Sequence, residues 1–419
     1  MKDISPNLSS ESDRLDPAIR MTIPAESLLH EFPPVTTDEW EAAIQRDLKG
    51  ADYASRLIWH AEEGLDVKPY YRAEYLHDIA YLDAAPFLLT RATPGWRIRE
   101  EVDLTGPEEA NRAAREAIAA GAEEIAYTRA VIASPSDLAL LLADLGEIPV
   151  HFDNVDTHAV HLLIERLHKH AASPSTTLSS GLDPFADLDA SAGILANRPP
   201  GLIPFVLQAE QYRESGATSA EEAGLTLAAA VDFLAEMQQR GLDPGNVTGS
   251  LIFSFAIGPY IFIEIAKLRA FRLVWAQALQ AFGVAPEDAR ARIHARTARW
   301  SGALEDSHIN ILRGATEAVS AILGGADSLS VAPYDECCSD PNEASRRLAR
   351  NTQLILKHEA LLARVADPGA GSYCLEVLTD SIARNAWSLL QKIEACGGYR
   401  KYSPAIQSSF ARNSSIAQP

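Results

Sequence analysis

The chain has 419 residues, of which 37 are Lys or Arg and 57 are Asp or Glu, a formal net charge of −20. With 47% apolar and 7% aromatic residues it reads as a helix-rich globular chain with a large core, and its acidic balance excludes nucleic acid and membrane lipid as bulk partners. Its 4 cysteines contain no C-x-x-C pair and are too sparse for a disulfide framework, so a reducing cytoplasm is expected; adjacent Cys337 and Cys338 could hardly bridge without strain.

The opening MKDISPNLSSESDRLDPAIR lacks the apolar stretch of a signal peptide, and residues 1–30 are expected to be a disordered extension. Residues 31–95 read as an N-terminal arm. Within it Thr37 starts a helix, with acids in the first turn and Trp40, Ile44 and Leu48 on one face. Leu57, Ile58 and Trp59 suit a short strand. From Trp96 the rhythm changes to strand and helix in alternation. Strands are expected at Trp96–Val102, Glu124–Tyr127, Ile148–Phe152, Ser175–Ser180 and Ile203–Gln208, then near Leu251, Arg292 and Ser328. Helices are expected at Pro107–Ala120, Ser134–Leu145, Thr157–Ala171, Ser219–Arg240, then from Ile261, His308, Asn342 and Asp380. The apolar run Leu251–Ala266 contains Pro259 and Glu264 and is short for a membrane span, so it belongs in a core.

A βα repeat of roughly 35 to 45 residues, recurring about eight times, predicts a (β/α)8 barrel over residues 96–396. No G-x-G-x-x-G follows a strand, which disfavours a doubly wound sheet. Residues 397–419 read as a polar C-terminal tail.

Arg292, His294, Arg296 and Arg299 alternate, or nearly so, along one expected strand and reach its C-terminal end. Barrel sites form at that end, so these cations could hold a phosphate or carboxylate. The alternative is pairing with nearby acids such as Glu305, Asp306 and Asp335. His308 stands in a partial D-x-H-x-x-G, but Ile311 replaces the glycine and the segment reads as a helix start. His151, His158, His161, His168 and His170 gather around one helix without H-E-x-x-H, so no metal site is expected.

Several long stretches, in this order, resemble the methylmalonyl-CoA mutase family: EFPPVTTDEWEAAIQRDLKGADY, ESGATSAEEAGLTLAAAVDFL, EIAKLRAFRLVWA, RIHARTARWS, ARNTQLILKHEA and VADPGAGSYCLE. The family interconverts methylmalonyl-CoA and succinyl-CoA through adenosylcobalamin radicals. Its substrate threads a barrel, and a separate C-terminal domain carries the cobalamin. The resemblance therefore implies an acyl-CoA groove lined by Arg292, His294, Arg296, Arg299, Trp300 and Glu336. Catalytic members have a Tyr-His pair where this chain has Glu210 and Gln211, and a glutamine cannot serve as the imidazole acid. Thr90–Val102 keeps only the W-x-I-R part of a segment that supplies a substrate-side tyrosine. In place of the corrin-facing Q-T-S-G-W the chain reads Arg296-Thr-Ala-Arg299-Trp300, with a long cation for a glycine. These losses resemble the non-catalytic small subunit of heterodimeric mutases. They imply no catalytic residues, no cobalamin domain and no cofactor on this chain, with adenosylcobalamin in a catalytic large-subunit partner contacted through residues 31–95. The rival expectation is the acyl-CoA-binding subunit of a split mutase whose cobalamin sits on a separate chain. A stand-alone acyl-CoA binder is a third.

Overall fold

The structure, a computed structural model, describes residues 35–61, 65–84, 91, 94–129, 131–169, 177–285 and 288–402. The extension expected at 1–30, His170, and residues 403–419 of the tail lie outside the described residues. The chain divides into two compact units, residues 1–59 and 60–419. In the first, Thr36 caps helix Thr37–Asp47: its hydroxyl accepts from the Glu39 N–H and the Glu39 carboxylate accepts from the Thr36 N–H. A second helix, Tyr53–Leu57, is capped by Asp52, so the strand expected at Leu57–Trp59 begins only at Trp59.

In the second unit eight parallel strands close into a barrel: β1 (Arg97–Asp103), β2 (Glu124–Thr128), β3 (Val150–Phe152), β4 (Leu178–Leu182), β5 (Leu202–Gln208), β6 (Leu251–Ile257), β7 (Ile293–Thr297) and β8 (Ser328–Ser330). They neighbour one another in chain order, and β8 closes onto β1. The helices that follow them are α1 (Pro107–Ala119), α2 (Pro135–Leu141), α3 (Thr157–Lys169), α4 (Leu188–Ala196), α5 (Ser219–Gln239), α6 (Ile261–Ala281), α7 (Ile309–Leu323) and α8 (Glu343–His358). A ninth helix, α9 (Tyr373–Ala395), lies outside α5 and α6. This is the expected (β/α)8 architecture. No described helix is long and apolar enough to cross a membrane.

Outward residues of β6 fix the fit of strand to helix. Phe253 and Phe255 meet Phe271 and Trp275 of α6 with ring centroids 4.7 to 5.0 Å apart. On α5, a Cβ added at Gly224 would lie 3.0 Å from the Ala386 carbonyl, so glycine lets α9 approach. α9 starts at Tyr373 rather than at Asp380, because Leu375, Leu378 and Ile382 already form its buried face.

α6 carries its charges inside: Glu264, Lys267, Arg269 and Arg272 are each at most 1% exposed. α5, α7 and α9 cover the helix on its outer side, so the charges are neutralised in place. Lys267 Nζ lies 2.6 Å from Glu222 Oε2, Glu264 Oε2 and the Ala256 carbonyl. Arg269 pairs with Asp367 and, at 2.7 Å, with Glu376. Arg272 donates to the Ala291 carbonyl at 2.5 Å and the Gly325 carbonyl at 2.6 Å. Such charges are tolerated in a core only when fully paired. The segment before β1 also docks here: the Tyr81 hydroxyl donates to Glu376 at 2.5 Å, and Ile79 and Tyr81 pack on Leu273 and Val377.

Candidate functional site

Side chains alternate along a strand, so Arg99 and Glu101 of β1 share a face with Arg97, and Arg296 shares one with His294. Strand order identifies that face. β8 separates β7 from β1, yet Arg296 reaches Glu101. Such a bond has to cross the barrel lumen.

The lumen is filled in layers. In the lower layer Arg99 Nε donates to Glu124 Oε1 at 2.6 Å, and Arg97 Nε donates to Glu124 Oε2 at 2.6 Å. His151 Nδ1 lies 2.9 Å from Ser179 Oγ, and His294 Nδ1 lies 2.9 Å from Ser328 Oγ. Burial first, and the Arg99 cation second, push both imidazoles well below the ordinary histidine range, so they are neutral. Burial alone would raise the Glu124 carboxyl, but Arg99 and Arg97 outweigh it and hold the pKa low. Above this layer the Arg296 fork bonds Glu101 at 2.9 and 3.0 Å and Glu336 at 2.7 and 2.9 Å. Arg299 adds a contact to Glu336 at 2.7 Å.

The C-terminal mouth carries amides and acids. Gln211 donates to Gln208, and Gln208 donates to Asn154 Oδ1 at 3.4 Å, a chain that runs from the end of β5 past β4 to the end of β3. Beside it, burial raises the Glu210 carboxyl to about 8, helped by Glu222 and Asp153. Its Oε2 is buried without a hydrogen-bond partner. The folded pKa lies above the ordinary 4.5, so this group's contribution to stability is complete below about 4.5 and declines as pH rises towards 8. Glu210→Gln should leave the urea midpoint at pH 4 nearly unchanged. At pH 8.5 it should raise stability, by up to about 1.4 kcal/mol for each pH unit of the relieved interval. Equal midpoint shifts at both pH values would refute the assignment.

The expected groove residues do not all meet. Arg296, Arg299 and Glu336 converge at the mouth. His294 lies deeper, against Ser328. Arg292 sits just before β7 at the opposite end of the barrel, in the field of Asp327, Arg97 and Arg198, with its pKa lowered chiefly by burial. Trp300 lies over the Arg213 guanidinium at 5.1 Å and against Gly258, where an added Cβ would come within 2.6 Å of its ring. The acids that pair with the cations are Glu101 and Glu336, not Glu305, Asp306 or Asp335. His308 stands at the residue before α7 without a side-chain capping bond and stacks on Tyr334 at 5.1 Å. His151 belongs to the lumen rather than to the α3 histidines, and among the described residues no group of three or more His, Cys, Asp or Glu could hold a metal. Arg99, Glu101, Glu124 and Asp153 escaped the sequence reading. The signal for Arg99 and Glu101 was present in R-I-R-E-E, where charges stand at every second residue, 97, 99 and 101, of a strand.

A cavity of about 30 Å³, room for one water, opens beside the mouth between α7 and the loop after β8, lined by Thr297, Arg299, Glu317 and Cys337 among others. Ser301 Oγ donates to Glu317 at 2.6 Å, and burial raises that carboxyl to about 7.

A family model described as methylmalonyl-CoA mutase matches residues 192–417. The methylmalonyl-CoA mutase small subunit of Porphyromonas gingivalis is 32% identical, over 93% of this chain and 68% of its own length. That of Streptomyces virginiae is 32% identical, over 89% of this chain and 65% of its own. The methylmalonyl-CoA mutase large subunit of Streptomyces virginiae is 28% identical, over 87% of this chain and 57% of its own. The chain thus spans about two thirds or less of the length of these relatives. Given the extent of these matches, the chain belongs to the methylmalonyl-CoA mutase family.

Proposed function

We propose that this chain is a small-subunit-type component of a methylmalonyl-CoA mutase, in a cytoplasmic heterodimer whose large subunit binds adenosylcobalamin and performs the isomerisation. The observation that carries the reading is the set of ion pairs across the lumen. A substrate threaded along the barrel would have to displace Arg296 from Glu101 and Glu336, and then Arg99 from Glu124. Removing one partner of a buried pair costs about 3–5 kcal/mol, which a threaded substrate would have to offset at each pair. Gln211 also fails as an acid at the position of the family's histidine, being a neutral amide bonded to Gln208. On this reading the mouth does not fit a flat corrin, because the Arg299 side chain, 60% exposed and tied to Glu336, stands over it. Residues 31–95 are proposed as the arm that meets the large subunit. Helix Thr37–Asp47, which has no buried residue, supports that role.

The test is co-expression with a large subunit followed by an assay of each species with methylmalonyl-CoA and adenosylcobalamin. The expected result is a stable heterodimer with turnover, and none from this chain alone. Turnover by this chain alone sinks the reading. Turnover only with a separate cobalamin-binding protein favours the split-mutase alternative.

A further inference from the structure

The turn after β8 holds two adjacent free thiols, Cys337 and Cys338, with Sγ atoms 3.3 Å apart. Nearby carbonyls orient them. Cys337 Sγ faces the Ala303 carbonyl at 3.4 Å, and Cys338 Sγ faces the Leu304 carbonyl at 3.3 Å. Asn310 Nδ2 approaches Cys337 Sγ at 3.5 Å. Gly302 closes the other side, where an added Cβ would lie 3.1 Å from that sulfur. The turn itself is fixed, since the Cys338 and Ser339 N–H groups both donate to the Asp335 carbonyl at 2.9 Å. Cys338 is exposed, while Cys337 lines the cavity at the mouth. The pair is therefore accessible from one side and held in place from the other.

The 3.3 Å spacing discriminates among the things two thiols can do. A disulfide would need the sulfurs about 1.2 Å closer, on neighbouring Cα atoms only about 3.8 Å apart, below the usual range for a bridge. Tetrahedral zinc, with sulfur bonds of about 2.3 Å, would spread two sulfurs to about 3.8 Å and ask for two further ligands. No group of three or more His, Cys, Asp or Glu is available for that among the described residues. A pyramidal soft centre with bonds of similar length, about 2.3 Å, meeting near a right angle, subtends about 3.3 Å.

We propose that Cys337 and Cys338 form a chelating dithiol site for trivalent arsenicals. With a hydrated arsenoxide, two As–S bonds form and two As–O bonds break. Each thiol proton leaves with a hydroxide as water, and no oxidation state changes. Chelation explains why two thiols are required, since the second bond forms within one complex at high effective concentration. Cys374 and Cys396 lie apart in sequence and have no such neighbour to close a ring.

The full chain would be titrated with phenylarsine oxide and read by intact mass and by free-thiol count. The expected result is one arsenical per chain with two thiols consumed, reversed by a 1,2-dithiol but not by the same concentration of a monothiol. Cys337→Ser and Cys338→Ser should each weaken binding at least about 100-fold, while the Cys374→Ser, Cys396→Ser double variant should bind as the parent does. Thermal unfolding of each variant guards against misfolding, and the exposed Cys338 position keeps one informative variant folded. Absence of an adduct, an adduct that survives in either single variant, or one lost in the double variant would overturn the proposal.

Discussion

Lys267→Met is expected to destabilise the fold by about 3–5 kcal/mol. Met has similar volume, so the cost is electrostatic and not a cavity. The substitution leaves Glu222 and Glu264 buried side by side with no cation between them, and strips a donor from the Ala256 carbonyl. Burial already raises the Glu222 carboxyl to about 7 with Lys267 present. Without the cation the Glu222 carboxyl is pushed up further beside a second buried acid, so the loss should deepen as pH rises. Arg213, 3.8 Å from Glu264 against 2.6 Å for the lysine, remains as the more distant cation. Guanidinium denaturation at pH 5.5 and pH 8 measures this. A midpoint that falls further at pH 8 supports it, and equal falls refute it. Adding Glu222→Gln and Glu264→Gln to the methionine variant should recover much of the loss, because a neutral group buried with hydrogen-bonding capacity costs less than an unpaired charge.

Arg296→Ala is expected to cost about 2–3 kcal/mol, less than a wholly buried pair, because the cluster retains partial water contact and Arg299 still reaches Glu336. Its pH signature is the stronger test. In the parent, burial would raise the Glu101 carboxyl, but Arg296 outweighs burial and holds the pKa below 4.5. Its contribution is therefore present above about 4.5 and lost as pH falls through the lowered folded value. Removing Arg296 leaves burial opposed only by the more distant Arg299 and Arg99, so Glu101 is expected to weaken the fold as pH rises above 4.5. The ratio of variant to parent stability should fall steadily from pH 5 to pH 8. A double variant with Glu101→Gln should lose that slope, and non-additivity of the pair reports their coupling across the lumen.

The barrel was legible in the sequence because its strands are short apolar runs with turn signals between them, as in LIFSFAI, and its helices carry caps such as Thr218 and Asn342. Element ends were less legible. α2 stops at Leu141, before the backbone turns left-handed at Asp144, and α9 starts at Tyr373, where Leu375 and Leu378 already find the core. The burial of Lys267, Arg269 and Arg272 was not legible locally, because they do not share one helix face and nothing in the segment itself reports that α9 covers α6. The mouth was read in part, since Arg296, Arg299 and Glu336 were placed together while Glu101, Asp153 and the amide chain from Gln211 were not.

By itself, then, the sequence determined the eight-fold βα rhythm, the family, and the absence of an imidazole at Gln211, because these depend on residue identity and local period. Only the tertiary structure decided what the cations do. Glu101 and Arg296 are 195 residues apart. Period two says that each points into a barrel, but not which inward side chains meet. Closure of β8 onto β1 settles that, by bringing β7 and β1 within one guanidinium's reach across the lumen. Of the cations that read as an open anion site, Arg296 and Arg299 are thereby held in pairs with Glu101 and Glu336.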